Sequence, residues 1–303
     1  MDHDDIDTSH PWLVIPYFNG DEGRSSQRPL SKITPPVTSW LCPFIHVQGV
    51  NYSTPPGTYL PDEPLEITIQ VDNRGVPNAL VKLQVYWADP ATGFVNPQLI
   101  FTTTWPVAGR DVTGPTLFPK MIWTPQQASI PPHFCLLARV SCTPPELDPG
   151  PLAPSPMTDR HWAQYNLQSA MLSTAGNHRF VFWAGNPALE AGAYAVNARP
   201  LAEDALRQLA RVMRAEPVPA RPQQLALRRA TDEGSRQAAS LVLELERGER
   251  KALVLSAQEL KLAPHQFTAV EVVQTRVGHE REDEATGSLG VVLFGYSDKR
   301  RCR

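Results

Sequence analysis

The sequence lacks the features that identify several large classes of protein. Its 303 residues include only four cysteines, too few for a disulfide scaffold at this length, and none of them forms a Cys-x-x-Cys pair. No apolar run approaches the roughly 20 residues that cross a bilayer as a helix, so we predict no membrane span. The formal net charge is -3, which favours neither a nucleic-acid partner nor an anionic membrane surface.

Signatures of catalysis and of cofactor binding are also missing. The sequence has no H-E-x-x-H, no G-x-x-x-x-G-K-[ST] and no G-x-G-x-x-G, and its eight histidines are scattered. We therefore predict no catalytic, cofactor-binding or metal-binding residues and expect a non-enzymatic protein. An enzyme is the third alternative, with a site assembled between modules around His161, His133 or His178. In that alternative Asp159 would orient His161 as a base.

The N-terminus is acidic where a Sec signal peptide would be basic, with aspartates at positions 2, 4, 5 and 7. We therefore expect no Sec-type leader, so that the protein is cytoplasmic, leaves the cell by another route or belongs to an assembly. Under that expectation Cys42 and Cys135 are interpreted as buried free thiols, with a disulfide between them as the alternative.

Two strands with a clean alternation are the strongest signal that is present. In residues 65–72 and 79–87 every second residue is apolar, and most of the residues between them are polar. A period of two places the apolar members on one face, as a half-buried antiparallel sheet requires. The 31 prolines, about twice average usage, belong in loops and at strand ends and argue against a helical protein.

Strand-sized segments recur with turn signals between them from residue 33 to about residue 175, which predicts an immunoglobulin-like β-sandwich. The predicted strands are 40–50, 64–73, 79–88, 98–106, 112–124, 132–142 and 160–172. The proline-rich run 143–157 is interpreted as a long loop, because the sandwich is one strand short if it ends at Cys142. Residues 1–32 are predicted to be an N-terminal arm with an anchoring strand in 12–18 or, alternatively, a flexible tail.

Three stretches of this region carry a family resemblance. They read PLEITIQVDNRG (64–75), VKLQVYW (81–87) and HFCLLARV (133–140). With them, residues 40–172 resemble bacterial immunoglobulin-like modules of the CARDB (cell-adhesion-related) type. The resemblance implies a sandwich fold and a tendency toward binding or adhesion, and it brings no catalytic residue with it.

Residues 176–303 are predicted to form a second immunoglobulin-like sandwich. Its strand candidates are 179–184, 192–198, 224–228, 240–246, 251–256, 267–275 and 288–296. One helix is predicted over 201–213, because its apolar residues share a face and Pro200 stands just before it, where a missing N–H costs nothing. Residues 243–255 are similar to the strand–turn–strand of immunoglobulin-like caps that bacteria append to larger proteins.

The last predicted strand is apolar on both faces, and its neighbour 267–275 repeats the pattern. Such strands must be covered on both sides, either by the first module or the helix or by another subunit. We therefore expect an interaction or structural subunit of a larger bacterial assembly, which binds a protein partner or associates with itself. The candidate interface residues are Leu289, Val291, Val292, Phe294, Tyr296, Val270 and Val272.

Three tryptophans support a different function. Trp105, Trp123 and Trp12 lie beside prolines near strand ends, where an exposed ring could stack on a sugar or anchor a partner. Packing against the core is the other interpretation of all three. The alternative function is therefore a carbohydrate- or surface-binding adhesion module that uses these rings and the 143–157 loop.

Overall fold

The computed structural model describes residues 6–34, 37–110, 114–169, 178–232, 238–278 and 285–295. Over these residues the protein is all-β with one α-helix, as the sequence predicts. Its sheets form two β-sandwiches, one built from strands before residue 170 and one from strands after residue 177. The predicted boundary at 175/176 lies outside the described residues.

Among the described residues the first sandwich has ten strands. Four of them pair with β4 in one sheet, while the other sheet has the order β3-β10-β9-β5-β6. The strands are β1 (Leu13–Val14), β2 (Ile45–Gly49), β3 (Thr58–Tyr59), β4 (Leu65–Asn73), β5 (Ala79–Ala88), β6 (Gln98–Val107), β7 (Thr116–Leu117), β8 (Met121–Trp123), β9 (His133–Thr143) and β10 (Trp162–Ser169). The partners of β4 are therefore β1, β2, β7 and β8.

The alternation in β4 and β5 builds the first core. Leu65, Ile67, Ile69 and Val71 of β4 are completely buried, and they share one hydrophobic cluster with Val81, Leu83 and Val85 of β5. The residues between them in β4 are only partly buried as far as Gln70. The two-residue period therefore places one face of each strand between the sheets.

The described part of the second sandwich has eight strands. One sheet has the order β11-β16-β14, and the other has the order β13-β17-β12-β15 with β18 also on β17. The strands are β11 (His178–Gly185), β12 (Gly192–Pro200), β13 (Glu216–Pro217), β14 (Leu225–Arg229), β15 (Ser240–Leu245), β16 (Arg250–Ala257), β17 (Gln266–Val277) and β18 (Ala285–Phe294). Short 3-10 turns lie at Ser25–Gln27, Leu30–Lys32 and Pro222–Gln224.

The single helix, α1 (Glu203–Met213), begins two residues later than predicted and ends at the predicted residue. Its buried residues Leu206, Leu209 and Met213 pack on the outer face of the sheet that holds β17 and β18. Arg214 follows in the left-handed region, with φ 50°, and ends the helix. The helix therefore supplies one of the two covers that β17 and β18 need.

The predicted strand 112–124 is wrong as a single element. The described part of it forms two short pieces, β7 and β8, separated by Phe118-Pro119-Lys120. Phe118 is buried and donates its backbone N–H to the carbonyl of Ile69 at 2.9 Å, while Pro119 has no N–H to offer a ladder. Residues 112 and 113 of the prediction lie outside the described residues.

Candidate functional site

The candidate interface residues are covered from within the chain. Leu289, Val291, Val270 and Val272 lie in the core of the second sandwich, with exposed fractions of 1% or less. Val292 belongs to the cluster beneath α1, and Phe294 is half-buried against that cluster. In this structure the cover of these six residues comes from the chain itself, and Tyr296 lies outside the described residues.

A row of side-chain amides joins the two sandwiches along β18. Gln164, Asn166 and Gln168 are alternate residues of β10, and each donates an amide N–H to a backbone carbonyl of β18. The acceptors are the carbonyls of Ser288 at 3.1 Å, Gly290 at 3.1 Å and Val292 at 2.7 Å, in that order. This amide row occupies carbonyls that would otherwise lie unpaired at a buried sheet edge.

Strand β9, the neighbour of β10, contributes apolar side chains to the cores of both sandwiches. Cys135 and Leu137 of β9 belong to the core of the second sandwich, whereas Phe134 and Leu136 belong to the first. Strand β9 is therefore apolar on both faces because a sandwich lies on each side of it. Sequence reasoning missed the amide row, although the alternating polar residues Gln164, Asn166 and Gln168 of the predicted strand 160–172 could have indicated it.

The rings of Trp12 and Trp123 pack against other side chains of the protein. The Trp12 ring carries the Arg160 guanidinium 3.8 Å from its centroid, and its indole N–H donates to the Glu22 carbonyl at 2.7 Å. Trp123 packs edge-on against Phe134, with ring centroids 5.6 Å apart. Only Trp105, which is 43% exposed on β6, keeps the accessible ring that the stacking hypothesis needs.

A buried charge cluster lies where the 144–161 segment meets the N-terminal strand. It consists of Glu146, Asp159, Arg160 and His161. His161 is completely buried, with Nδ1 2.9 Å from Asp159 Oδ1 and Nε2 2.9 Å from Glu146 Oε2. Glu146 Oε1 accepts from Arg160 Nη2 at 3.1 Å and from the backbone N–H of Leu13 at 2.7 Å. The cluster therefore fixes β1 to the loop before β10.

The charge cluster also sets the ionisation of His161. Burial alone would lower the pKa of His161, but its hydrogen bonds to Asp159 and Glu146 outweigh burial and raise that pKa above 6.5. Burial likewise opposes ionisation of Asp159, yet the bond to His161 lowers the pKa of Asp159. The arrangement is a completely buried imidazole held between the carboxyl groups of Asp159 and Glu146.

We expect the free energy of unfolding to fall as the pH rises above about 6.5. The pKa of His161 is raised on folding, so its contribution is complete below the unfolded value of 6.5 and is lost as the pH passes the folded value. Denaturant titrations between about pH 6.5 and 8.5 measure this slope, and His161→Gln should flatten it. Burial lowers the pKa of His133 to about 4 and lowers that of His178, so most of their opposing pH dependence falls below the unfolded value of 6.5. An equal slope in both proteins would contradict the prediction.

The three candidate catalytic histidines are not brought together. In the β9–β10 ladder Gln168 lies opposite His133, whereas His161 precedes β10 at the other end. At about 3.4 Å per residue, the seven residues from 161 to 168 separate the two backbone positions by about 24 Å along the sheet. His178 begins β11 in a different sheet. Among the described residues no group of three metal-ligating side chains is present either.

Burial determines the reactivity of Cys42 and Cys135. In the part of the chain that the structure describes, Cys42, Cys135 and Cys142 are free thiols, and the first two are buried. Burial raises the pKa of both Cys42 and Cys135 to about 12. They are therefore inert as nucleophiles at neutral pH, and no disulfide joins them.

A cleft of about 240 Å³ opens between the sandwiches beside the β15–β16 turn. Across it Arg250 of the second sandwich pairs with Asp89 of the first at 2.7 Å, and its guanidinium lies over the Trp183 ring at 4.3 Å from the centroid. The half-buried ring of Trp87 also lines the cleft, together with Asn96 and Gln98. The cleft thus combines an aromatic ring with planar polar side chains.

Strand β6 presents the longest free edge among the described strands. It lies last in its sheet and pairs only with β5, and its ten residues include no charged side chain. Leu99 is 53% exposed and Trp105 is 43% exposed, and Thr102 and Thr104 are exposed between them. An uncharged edge of this length invites pairing with another strand.

The other described edges carry the protections that β6 lacks. Side chains of the amide row occupy the edge of β18. The edges of β14 and β15 carry Arg228 and Glu244, respectively. The loop at Pro90–Thr92 hydrogen-bonds with Trp183 and covers part of β11. The remaining edge strands, β1, β2, β3, β7, β8 and β13, have five residues or fewer.

Comparison with solved structures returns CARDB domains, the type of module that the sequence resemblance indicates. The chain is similar to the crystal structure of a CARDB domain from Pyrococcus furiosus, solved in complex with di-metal ions. The identity is 16%, the match covers 42% of this chain and 90% of that chain, and the TM-score is 0.27. A solution NMR structure of that domain matches with the same identity, the same share of this chain and the same TM-score, over 94% of that chain.

A β-glucosidase from Listeria innocua matches at 10% identity with a TM-score of 0.24, over 41% of this chain and 16% of that enzyme. No protein-family model and no curated protein matches the sequence. No helix among the described residues is long and apolar enough to cross a membrane. The fold assignment therefore stands on the sheets described above, and the function is argued from the surface.

Proposed function

We propose that this protein is a non-enzymatic interaction subunit that binds an extended polypeptide segment at the free edge of β6. The observation that carries the proposal is the contrast between β6, which is long and uncharged, and the other edges, which are short, charged or covered. Such an edge, left without protection, is a template for another strand. Strand addition gains affinity from backbone hydrogen bonds and specificity from alternate side chains.

The contact between the sandwiches supports a role as a rigid carrier of that edge. The amide row and the second core cluster join β9 and β10 to the second sandwich over several residues of each strand. Strand β5 lies beside β9 in the same sheet, and β6 lies beside β5. The binding edge is therefore built onto the sheet that both sandwiches hold in place.

The placement of the histidines favours binding over catalysis. The hydrogen-bonded set that resembles a catalytic arrangement, His161 with Asp159 and Glu146, has a completely buried imidazole and serves to pair charges. Catalysis requires a base within reach of a proton on the substrate. Neither His133 nor His178 lines the Asp89–Arg250 cleft, and the cavity that His133 lines has a volume of only about 10 Å³.

We expect two lysines on β6 to abolish partner binding without unfolding the protein. Thr102 and Thr104 are both exposed, so Thr102→Lys with Thr104→Lys adds charge at the edge without disturbing the core. Polypeptides that co-purify with the wild type from the native host should be absent when the variant is purified in the same way. The matched control, Ser240→Lys with Val242→Lys, alters two exposed residues of edge strand β15. Identical polypeptides with all three proteins would overturn the proposal.

The Asp89–Arg250 cleft favours carbohydrate binding as a second candidate function. Its volume of about 240 Å³ suits a small polar ligand, and Trp87 supplies an aromatic surface beside the amides of Asn96 and Gln98. Stacking on a ring with hydrogen bonds from planar side chains suits a neutral sugar. A glycan array tests this candidate, and a signal that Asp89→Ala removes and Trp105→Ala leaves intact would assign it to the cleft. A blank array would exclude it.

A further inference from the structure

We infer that the strand bound at β6 is the β6 of a second copy of this chain, paired antiparallel across a two-fold axis at Thr103. This inference rests on the proposed function, because it names the partner for the same edge. It commits to one register, in which Thr103 lies opposite itself. Thr102 then lies opposite Thr104 of the second copy, and Phe101 lies opposite Trp105.

Charge permits this pairing. Like charges placed opposite each other oppose the association of a strand with its own copy, and β6 has none. On the face of the sheet that carries Thr102 and Thr104, the nearest charge is Lys82 of β5, which lies opposite Thr104. In the proposed pair, two copies of Lys82 are separated by three strand spacings, about 14 Å. That distance exceeds the Debye length of about 8 Å at physiological ionic strength.

The irregularities of β6 select the register. The β5–β6 ladder slips between Val85 and Tyr86, so that Ile100 is an extra, bulged residue. At the other end Pro106 has no N–H and cannot donate to a ladder. The regular stretch between these two residues is 101–105, and its centre is Thr103. In the proposed register Ile100 lies opposite Pro106 at both ends, so bulge and proline bound the new ladder.

Other registers interrupt the pairing. Centring the axis on Thr102 places the bulged Ile100 opposite Thr104, inside the ladder. Centring it on Thr104 places Pro106 opposite Thr102, again inside. A one-residue slip is excluded because residues that point their backbone groups outward would then face residues that point inward.

The side chains in the selected register are compatible across the strands. Phe101 is half-buried and Trp105 is exposed, and they point to the same face as Val81 and Val85 of β5. The two-fold axis creates this aromatic pair twice, and on the opposite face it creates two Thr102–Thr104 pairs. Aromatic pairs and threonine pairs are both favourable cross-strand combinations. Pairing would also cover the exposed indole of Trp105, the one candidate stacking ring that the fold leaves accessible.

Sedimentation of the full chain tests the partner. The 33.6 kDa chain should double its mass as the concentration rises through the micromolar range, and the Thr102→Lys, Thr104→Lys variant should remain monomeric. The Ser240→Lys, Val242→Lys control should behave as the wild type. A wild type that is monomeric throughout overturns the inference but not strand addition, provided that the host pull-down still depends on β6. A dimer that the β6 lysines leave intact overturns the inference and places self-association on another surface.

Disulfide trapping tests the register. Opposing Cα atoms in an antiparallel pair lie about 4.5–5.5 Å apart, within the range that a disulfide spans. With Cys142 and Cys302 replaced by serine, Thr103→Cys should form a covalent dimer on mild oxidation. Thr102→Cys and Thr104→Cys should crosslink efficiently only when the two variants are mixed. Efficient crosslinking of Thr102→Cys or Thr104→Cys alone, with none at 103, would overturn the proposed axis.

Discussion

Replacing Glu146 with alanine is expected to lower the free energy of unfolding by about 3–5 kcal/mol. Glu146 accepts a hydrogen bond from Leu13 and from Arg160 and lies 2.9 Å from the imidazole of His161. The side chain of Arg160 is only 6% exposed and that of His161 is 0% exposed. The substitution would therefore leave buried positive charge with one carboxylate fewer, together with an unsatisfied backbone N–H.

Asp148 provides the matched control. Its carboxylate also lies near Arg160, at 3.4 Å, but its side chain is 73% exposed. An exposed pair of this kind contributes about 0–1 kcal/mol, so Asp148→Ala should be nearly neutral. Equilibrium denaturation at pH 6, with linear extrapolation to water, measures both variants. A loss for Glu146→Ala no greater than that of the control would contradict the importance given to the charge cluster.

Replacing Gly290 with alanine is expected to destabilise the protein by about 1–3 kcal/mol or more, because the site is already filled. A Cβ at Gly290 would overlap ring carbons of the completely buried Trp40. The same residue offers its carbonyl to Asn166, so a shift of β18 away from Trp40 would also stretch the amide row. The strain therefore falls on the contact between the sandwiches.

Gly192→Ala is the control for this second substitution. Gly192 also lies in a strand without a left-handed φ, but its added Cβ would meet the flexible Arg276 side chain at 3.0 Å. We expect a small effect there. Thermal unfolding compares the two variants, and amide hydrogen exchange should show faster exchange at β10 and β18 in Gly290→Ala alone. Unchanged exchange at both strands would mean that the clash relaxes elsewhere.

Local pattern predicted most of the strands because each of them has a buried face. The alternation of Leu65–Asn73 and Ala79–Ala88 reproduces the observed β4 and β5 almost residue for residue. Strands β3 and β13 have two residues each and are too short to show a period. They exist because neighbouring strands offer backbone partners, which is tertiary information.

The candidate site was less accessible to sequence reasoning. The two-sided apolar pattern of β18 correctly indicated that both faces are covered, yet the pattern is the same whether the cover is a helix, a second module or another subunit. The buried charge cluster joins Glu146 with Asp159, Arg160 and His161, separated by a proline-rich loop, so no spacing motif describes it. The free edge of β6 is likewise defined only by what lies beside it in the sheet.

The amide row has a consequence for the size of any complex. Two copies joined through β6 use the same strand from each side, so that contact is complete once two chains have met. Growth into a fibre would require a second long edge, and along β18 the carbonyls of Ser288, Gly290 and Val292 are already taken by the chain's own glutamine and asparagine side chains. The chain's own side chains therefore block β18 as a second site for strand addition and oppose growth into a fibre.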